Sequence, residues 1–279
     1  MVADKKHLLV SGVARSGTTA LAELLNSHES ICVGIERFKF QFLLHHNHSA
    51  SLFERDRFFD FRPEDTNLSP TAKPHWQTAY DAIAQKWDTA EVIGDKVPDM
   101  TAELPAFIAA NPDFKYIYIL RNLKDVGLSW QARANRIRDS WPSKKGFAAA
   151  CESWSAQMLA LHALMQTKEM NRRVLLLDYD HMYDEDSRSD EVILKFLGLG
   201  ASAAFSETFR NHVEFARGKV ARKIPPQFAE VYKTIDMSFA RDMRKRARAQ
   251  AKSLIPDLAI NASAPTSLPD VISGSATEV

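Results

Sequence analysis

Apolar positions along this chain follow two alternating periods. The run His7-Leu8-Leu9-Val10-Ser11 is short and apolar and ends in a glycine turn. After Thr18 the residues Ala20, Leu21, Leu24 and Leu25 recur at helical spacing, so strand, loop and helix follow in that order. Ile31-Cys32-Val33 and Glu91-Val92-Ile93-Gly94 read as two further short strands. The strongest strand signal is Lys115-Tyr116-Ile117-Tyr118-Ile119-Leu120, aromatic and β-branched, ended by Arg121 and followed by a helical stretch from about Lys124. A long helical segment, Phe147 to Lys168, leads to a last strand, Val174-Leu175-Leu176-Leu177. Strands alternating with helices predict an α/β fold, a parallel sheet flanked by helices, whose ligands bind outside the carboxyl ends of the strands.

Two stretches break the pattern. Residues 37–74 hold seven of the 16 Phe and three clustered histidines, with few element boundaries, and read as an insertion over the carboxyl edge of the sheet. Residues 261–279 are small and polar without periodicity, which predicts a disordered tail after a single domain over 1–260. A chain of 279 residues, 45% apolar and 25% charged, suits one such folded domain. Lys and Arg number 36 against 35 Asp and Glu, a net charge of +1, which excludes a surface built for nucleic acid or membrane. Any anionic partner is therefore met locally. Cys32 and Cys151 allow one bridge at most, the usage of a reducing compartment. The apolar start up to Ala14 is too short for a signal peptide and ends at Arg15, and no apolar run approaches the ~18 residues of a spanning helix. The expected location is cytoplasmic.

The chemistry is expected in the loops after the strands. Ser11-Gly12-Val13-Ala14-Arg15-Ser16-Gly17-Thr18-Thr19 joins a strand to a helix, so backbone N–H groups and the helix amino end converge where a phosphate can sit. The spacing Gly12-x4-Gly17 is that of a P-loop, yet Thr18 stands where a nucleoside triphosphatase needs lysine. The cation sits inside the loop instead, at Arg15. A second segment, Arg121-Asn122-Leu123-Lys124-Asp125-Val126-Gly127-Leu128-Ser129, follows the strongest strand. Its Asn122 can cap the helix, Arg121 supplies a planar cation, and Ser129 adds a hydroxyl.

Together these motifs resemble those of the sulfotransferases that use 3′-phosphoadenosine 5′-phosphosulfate. The arginine form of the first loop looks most like tyrosylprotein sulfotransferases and their bacterial relatives. The resemblance implies that Ala14, Arg15, Ser16, Gly17, Thr18 and Thr19 bind the 5′-phosphosulfate, and that Arg121 and Ser129 bind the 3′-phosphate. Leu123 replaces the family's usual proline. The same resemblance assigns donor contacts to Arg133, to Tyr179 near the adenine, and to Lys219 ahead of Lys223-Ile224-Pro225-Pro226. The stretch from Arg217 to Lys252 carries 11 basic and 3 acidic residues, its later part reading as a solvated helix face.

Sulfuryl transfer needs cations for the leaving phosphate and a base for the acceptor hydroxyl, and no metal is obligatory. The expected cations are Arg15 and Lys96; the resemblance implies the latter, because Gly94-Asp95-Lys96-Val97-Pro98, after a short strand, is similar to that family's Asn-Lys-Asp-Pro-like segment. The resemblance to tyrosylprotein sulfotransferases implies Glu36 as the base, since Gly34-Ile35-Glu36 stands where that family has Gly-Glu-Glu; a carboxylate there is expected beside Arg15 and Lys96. His45, His46 and His48 are rival bases; a zinc role lacks a second ligand cluster. His28 reads as a helix-end residue, and Phe38, Phe40, Phe42, Phe53, Phe58, Phe59 and Phe61 divide between core and an acceptor pocket. The leading expectation is a sulfotransferase acting on a hydroxyl of a carbohydrate, peptide tyrosine or small metabolite, leaving adenosine 3′,5′-bisphosphate. The alternatives are a P-loop kinase or nucleoside triphosphatase and a catalytically silent nucleotide-binding protein.

Overall fold

Every strand carries apolar residues on both faces, as a sheet covered twice requires. In the computed structural model, which describes residues 5–258 except 139, 219 and 221, the strands are β1 (Lys6–Gly12), β2 (Ile31–Ile35), β3 (Val92–Lys96), β4 (Lys115–Leu120) and β5 (Val174–Asp178). All pair in parallel in the order β2-β3-β1-β4-β5. Leu8 and Val10 of β1 join Ile117 and Ile119 of β4 in one layer, against the helices Thr18–Asn26, Ser189–Leu197 and Ala203–Arg217. Leu9, Tyr116, Tyr118 and Leu120 face the other layer, with Leu104–Ala110, Leu123–Ala134 and Phe147–Leu164.

The register aligns the carboxyl ends: Gly12 lies beside Ile119, Leu120 beside Asp178, and Ile35 beside Lys96. From β1 the chain crosses to β2 on one side, while β4 pairs on the other. That reversal of strand order opens a crevice at the carboxyl end of β1, where doubly wound sheets bind ligands.

Some expected boundaries move. β3 does not end at Gly94 but runs through Asp95 and Lys96, which are 0% and 1% exposed. Charged residues persist in the strand because another loop satisfies them: Asp95 accepts the N–H groups of Arg37 (2.9 Å) and Phe38 (2.8 Å), and Lys96 pairs with Glu36. Burial still pushes the Asp95 carboxyl up to about 6. The helix expected over Phe147 to Lys168 stops at Leu164; a second, Lys168–Arg173, starts where Thr167 accepts the N–H of Met170 (3.2 Å).

Residues 37–74 form part of the core. Phe38, Phe42, Phe53 and Phe58 are buried, whereas Phe40, Phe59 and Phe61 are half-buried. The Phe53 ring reaches His7, at the amino end of β1 (5.6 Å), so this segment extends along a sheet face to that end. Fully buried Arg37 fastens it, donating to Asp65 Oδ2 (2.7 Å) and to the carbonyls of Phe58 (2.6 Å), Asp60 (2.6 Å) and Arg57 (3.2 Å). Among the described residues no helix is long and apolar enough to cross a membrane. The tail expected over 261–279 lies outside the described residues.

Arg37→Leu strips buried acceptors of their donor, so it is expected to lower stability by about 3–5 kcal/mol. The measurement is urea unfolding, with a lower midpoint at unchanged slope; a wild-type midpoint contradicts the role given to Arg37.

Candidate functional site

The loop after β1 is held in shape by its neighbours. Gly17 has φ 96° and ψ 12° at the amino end of helix Thr18–Asn26, and a Cβ there would lie 2.6 Å from Tyr179 Cε2. Only glycine meets both demands. Arg15 is also left-handed, at φ 75°. Its carbonyl accepts from Arg121 (2.9 Å), and that of Ala14 accepts from Trp130 Nε1 (2.8 Å). No side chain caps the helix, leaving its first-turn N–H groups directed at the loop's concavity. Ser16 is fully buried, and its Oγ has no hydrogen-bond partner. The cradle therefore suits an anion rich in acceptor oxygens.

The second motif lies next to it because β4 pairs with β1. Asn122 caps helix Leu123–Ala134, accepting the N–H of Asp125 (2.8 Å), as the sequence anticipates. Arg121 stretches back to the first loop, its guanidinium 4.4 Å over the Tyr179 ring, and its buried Nε lacks a hydrogen-bond partner. Ser129 Oγ accepts from Arg15 Nε (3.2 Å). Tyr179 thus packs against both motifs, touching Gly17 and Arg121. Arg133 sits on the same helix, its guanidinium 5.3 Å over the Trp141 ring. The unpartnered Ser16 Oγ and Arg121 Nε, on a fully buried and a half-buried residue at one crevice, fit a ligand with phosphate-like groups at two points.

Glu36 follows β2 in the left-handed region, at φ 54°. Its N–H donates to the Lys96 carbonyl (2.8 Å), which holds that backbone. Its Oε1 pairs with Lys96 (3.0 Å) and its Oε2 with Lys39 (2.8 Å). Lys96 is expected there, whereas the ion pairs of Glu36 are with Lys96 and Lys39, and Arg15 Nε donates to Ser129. Burial pushes the Glu36 carboxyl up, yet Lys96 and Lys39 outweigh it and hold it below the usual carboxylate range.

A sequence profile described as the sulfotransferase family matches residues 8–203, from β1 into helix Ala203–Arg217. The chain belongs to the sulfotransferase family. It is therefore a sulfotransferase enzyme, and the matched span contains both anion motifs, Glu36 and Lys96. The structure of mouse sulfotransferase SULT7A1 complexed with PAP shares this fold at a TM-score of 0.50 and 16% identity, over 88% of this chain and 90% of that one. STF1 of Mycobacterium tuberculosis aligns at a TM-score of 0.49 and 16% identity, over 89% and 78%. The sulfotransferase domain of the Synechococcus olefin synthase aligns at 0.45 and 19%, over 90% and 98%. No curated relative matches the chain.

Other residues of this sulfotransferase fall as follows. His45 and His46 are exposed and His48 is buried; His46 Nδ1 lies 2.9 Å and His48 Nε2 3.3 Å from Glu103 Oε2. Among the described residues no three His, Cys, Asp or Glu side chains group as a metal site. Buried His28 accepts the Ser30 N–H through Nδ1 (3.0 Å) after the first helix. Lys219 lies outside the described residues. Nearby, Arg222 donates to the Asp125 carbonyl (3.4 Å), so this basic stretch meets the second motif. The helix expected to present a solvated basic face, Ser238–Leu254, uses part of that face: Arg244 donates to Asp180 (2.7 Å), whose other oxygen accepts from Asn122 (2.8 Å). Sequence reasoning missed Lys39, Trp130 and Arg244. Lys39 was within reach as an i,i+3 partner of Glu36; the other two act across more than 60 positions.

A carboxyl held low contributes stability that is complete above its ordinary value near 4.5 and is lost as pH falls through its folded value. The stability gap between wild type and Glu36→Gln should stay level above that pH and narrow below it. Urea midpoints across pH measure this, and a gap that widens on acidification contradicts the pairing.

Proposed function

We propose that this enzyme transfers a sulfuryl group from 3′-phosphoadenosine 5′-phosphosulfate to a hydroxyl acceptor, with Glu36 as general base. The observation that carries the reading is the pair of adjoining anion cradles, each with a buried polar atom awaiting a partner, bridged by Arg15 and Ser129. A nucleotide phosphorylated at both ends of its ribose satisfies both. Arg15 to Thr19 would hold the 5′-phosphosulfate, Arg121 and Ser129 the 3′-phosphate, with Arg133, Tyr179 and Lys219 as further contacts; Ala14, expected in the same cradle, has its N–H and carbonyl taken by Asp99 and Trp130. The PAP bound to the mouse structure of the same fold supports this donor.

The donor supplies the sulfuryl group, and adenosine 3′,5′-bisphosphate leaves. Glu36 is kept ionised by Lys96 and Lys39 and takes the acceptor's proton as its oxygen bonds to sulfur. The old sulfur–oxygen bond breaks, and its electron pair goes to the leaving phosphate. Arg15 and Lys96 offset the charge that gathers there, a role whose loss costs about 10²–10³ in rate in other enzymes. Lys96 suits it, being held at 1% exposure in a water-poor place where charge acts strongly. The resemblance to tyrosylprotein sulfotransferases suggests a phenolic or peptide acceptor, beside carbohydrates and small metabolites.

Incubation of the enzyme and sulfur-labelled donor with cell extract, followed by mass spectrometry for added sulfate, finds the acceptor. With that acceptor, Glu36→Ala should lower kcat by about 10²–10⁴ while bisphosphate affinity stays within about 3-fold, and Arg15→Ala should lower kcat/KM by about 10²–10³. Unchanged rates in both variants would remove both roles.

A further inference from the structure

Both backbone polar groups of Ala14 are taken by side chains from elsewhere in the fold. Its carbonyl accepts from Trp130, and its N–H donates to Asp99 Oδ1 at 2.8 Å. Asp99 lies just beyond β3 in the left-handed region, at φ 61° and ψ 23°, and its own N–H donates to the Gly12 carbonyl (2.9 Å). One residue therefore grips the phosphate loop on both sides of Val13. The same Oδ1 accepts from Gln157 Nε2 (2.8 Å), on helix Phe147–Leu164. Gln157 is itself fixed: Nε2 also donates to Ser153 Oγ (3.1 Å), and Oε1 accepts from Thr101 Oγ1 (2.9 Å) and from the Tyr118 hydroxyl (3.3 Å).

We infer that Asp99 is a positioning residue for the donor loop and acts through the shape of one acceptor oxygen, not through its charge. A carboxylate beside an anion cradle opposes the ligand electrostatically, so its charge is not what the ligand selects. Both bonds it receives end on Oδ1, an atom that a carboxamide also offers. The bond to Ala14 removes that N–H from the groups available to a ligand and fixes where the chain turns into left-handed Arg15. Gln157 then ties the loop to β4 and to the long helix. A left-handed aspartate persists because three hydrogen-bonded neighbours, Gly12, Ala14 and Gln157, determine its place.

This inference rests on the sulfuryl-donor reading only for its ligand probe, adenosine 3′,5′-bisphosphate. The experiment compares full-length Asp99→Asn and Asp99→Leu by calorimetric binding of that probe and by hydrogen exchange of the Ala14 amide without nucleotide. Asp99→Asn should bind within about 3-fold of wild type or more tightly, because it keeps the acceptor and loses the opposing charge. Asp99→Leu should bind about tenfold or more weakly and exchange the Ala14 amide about tenfold faster, the scale of one lost hydrogen bond. Should Asp99→Leu not fold, Gln157→Met removes the support from a distance and should shift both readouts the same way by a smaller factor. Equal losses in the Asn and Leu variants would overturn the inference by making charge decisive. Wild-type binding and exchange in the Leu or Met variant would overturn it by making the clamp idle. If the wild type binds no bisphosphate, the donor reading fails, and the exchange measurements still decide the clamp.

Discussion

Parallel strands paired in register must end on one edge, and that constraint places the phosphate loop, the Arg121 segment, Glu36 and Lys96. Gly12, Ile35, Lys96, Leu120 and Asp178 close their strands side by side, so five loops distant in sequence open onto the same crevice. Because β1 lies between β3 and β4, its loop can be gripped from both flanks. Arg121 and Trp130 reach it from beyond β4, and Asp99 from beyond β3. The left-handed positions Arg15, Glu36 and Asp99 all fall in these loops, consistent with strain gathered where function needs a fixed geometry.

Electrostatics follow from the same arrangement. A net charge of +1 hides a strong local order, in which cations line the crevice and each is tied to a specific partner. Lys96 is nearly inaccessible and acceptable there only because Glu36 answers it, and Glu36 is ionised because Lys96 and Lys39 flank it. Ser16 Oγ and Arg121 Nε are the polar atoms that a ligand's oxygens would engage there.

Much of this was legible in the sequence, for physical reasons. All five strands showed as apolar runs because a sheet buried on both faces needs no polar alternation. The two anion motifs were legible because local spacing alone joins a strand end, a cation and a helix start. β3 was cut short at Gly94 because Asp95 and Lys96 look like surface residues until their partners, 57 to 60 positions away, are known. Spacing in the resembling family puts Glu36 beside Arg15, and spacing gives proximity without direction: the Arg15 Nε donates to Ser129 instead. The phenylalanines of 37–74 were ambiguous for a similar reason: aromatic content does not reveal that Arg37 folds that segment onto the sheet.

Two adjoining cradles are proposed to bind one doubly phosphorylated nucleotide. Isothermal titration without magnesium, comparing adenosine 3′,5′-bisphosphate with adenosine 5′-monophosphate, tests it most directly. Two engaged cradles predict at least about 100-fold tighter binding of the bisphosphate, the scale of two charge-assisted contacts. Equal affinity for the two nucleotides, or binding of ATP alone and only with magnesium, would contradict it.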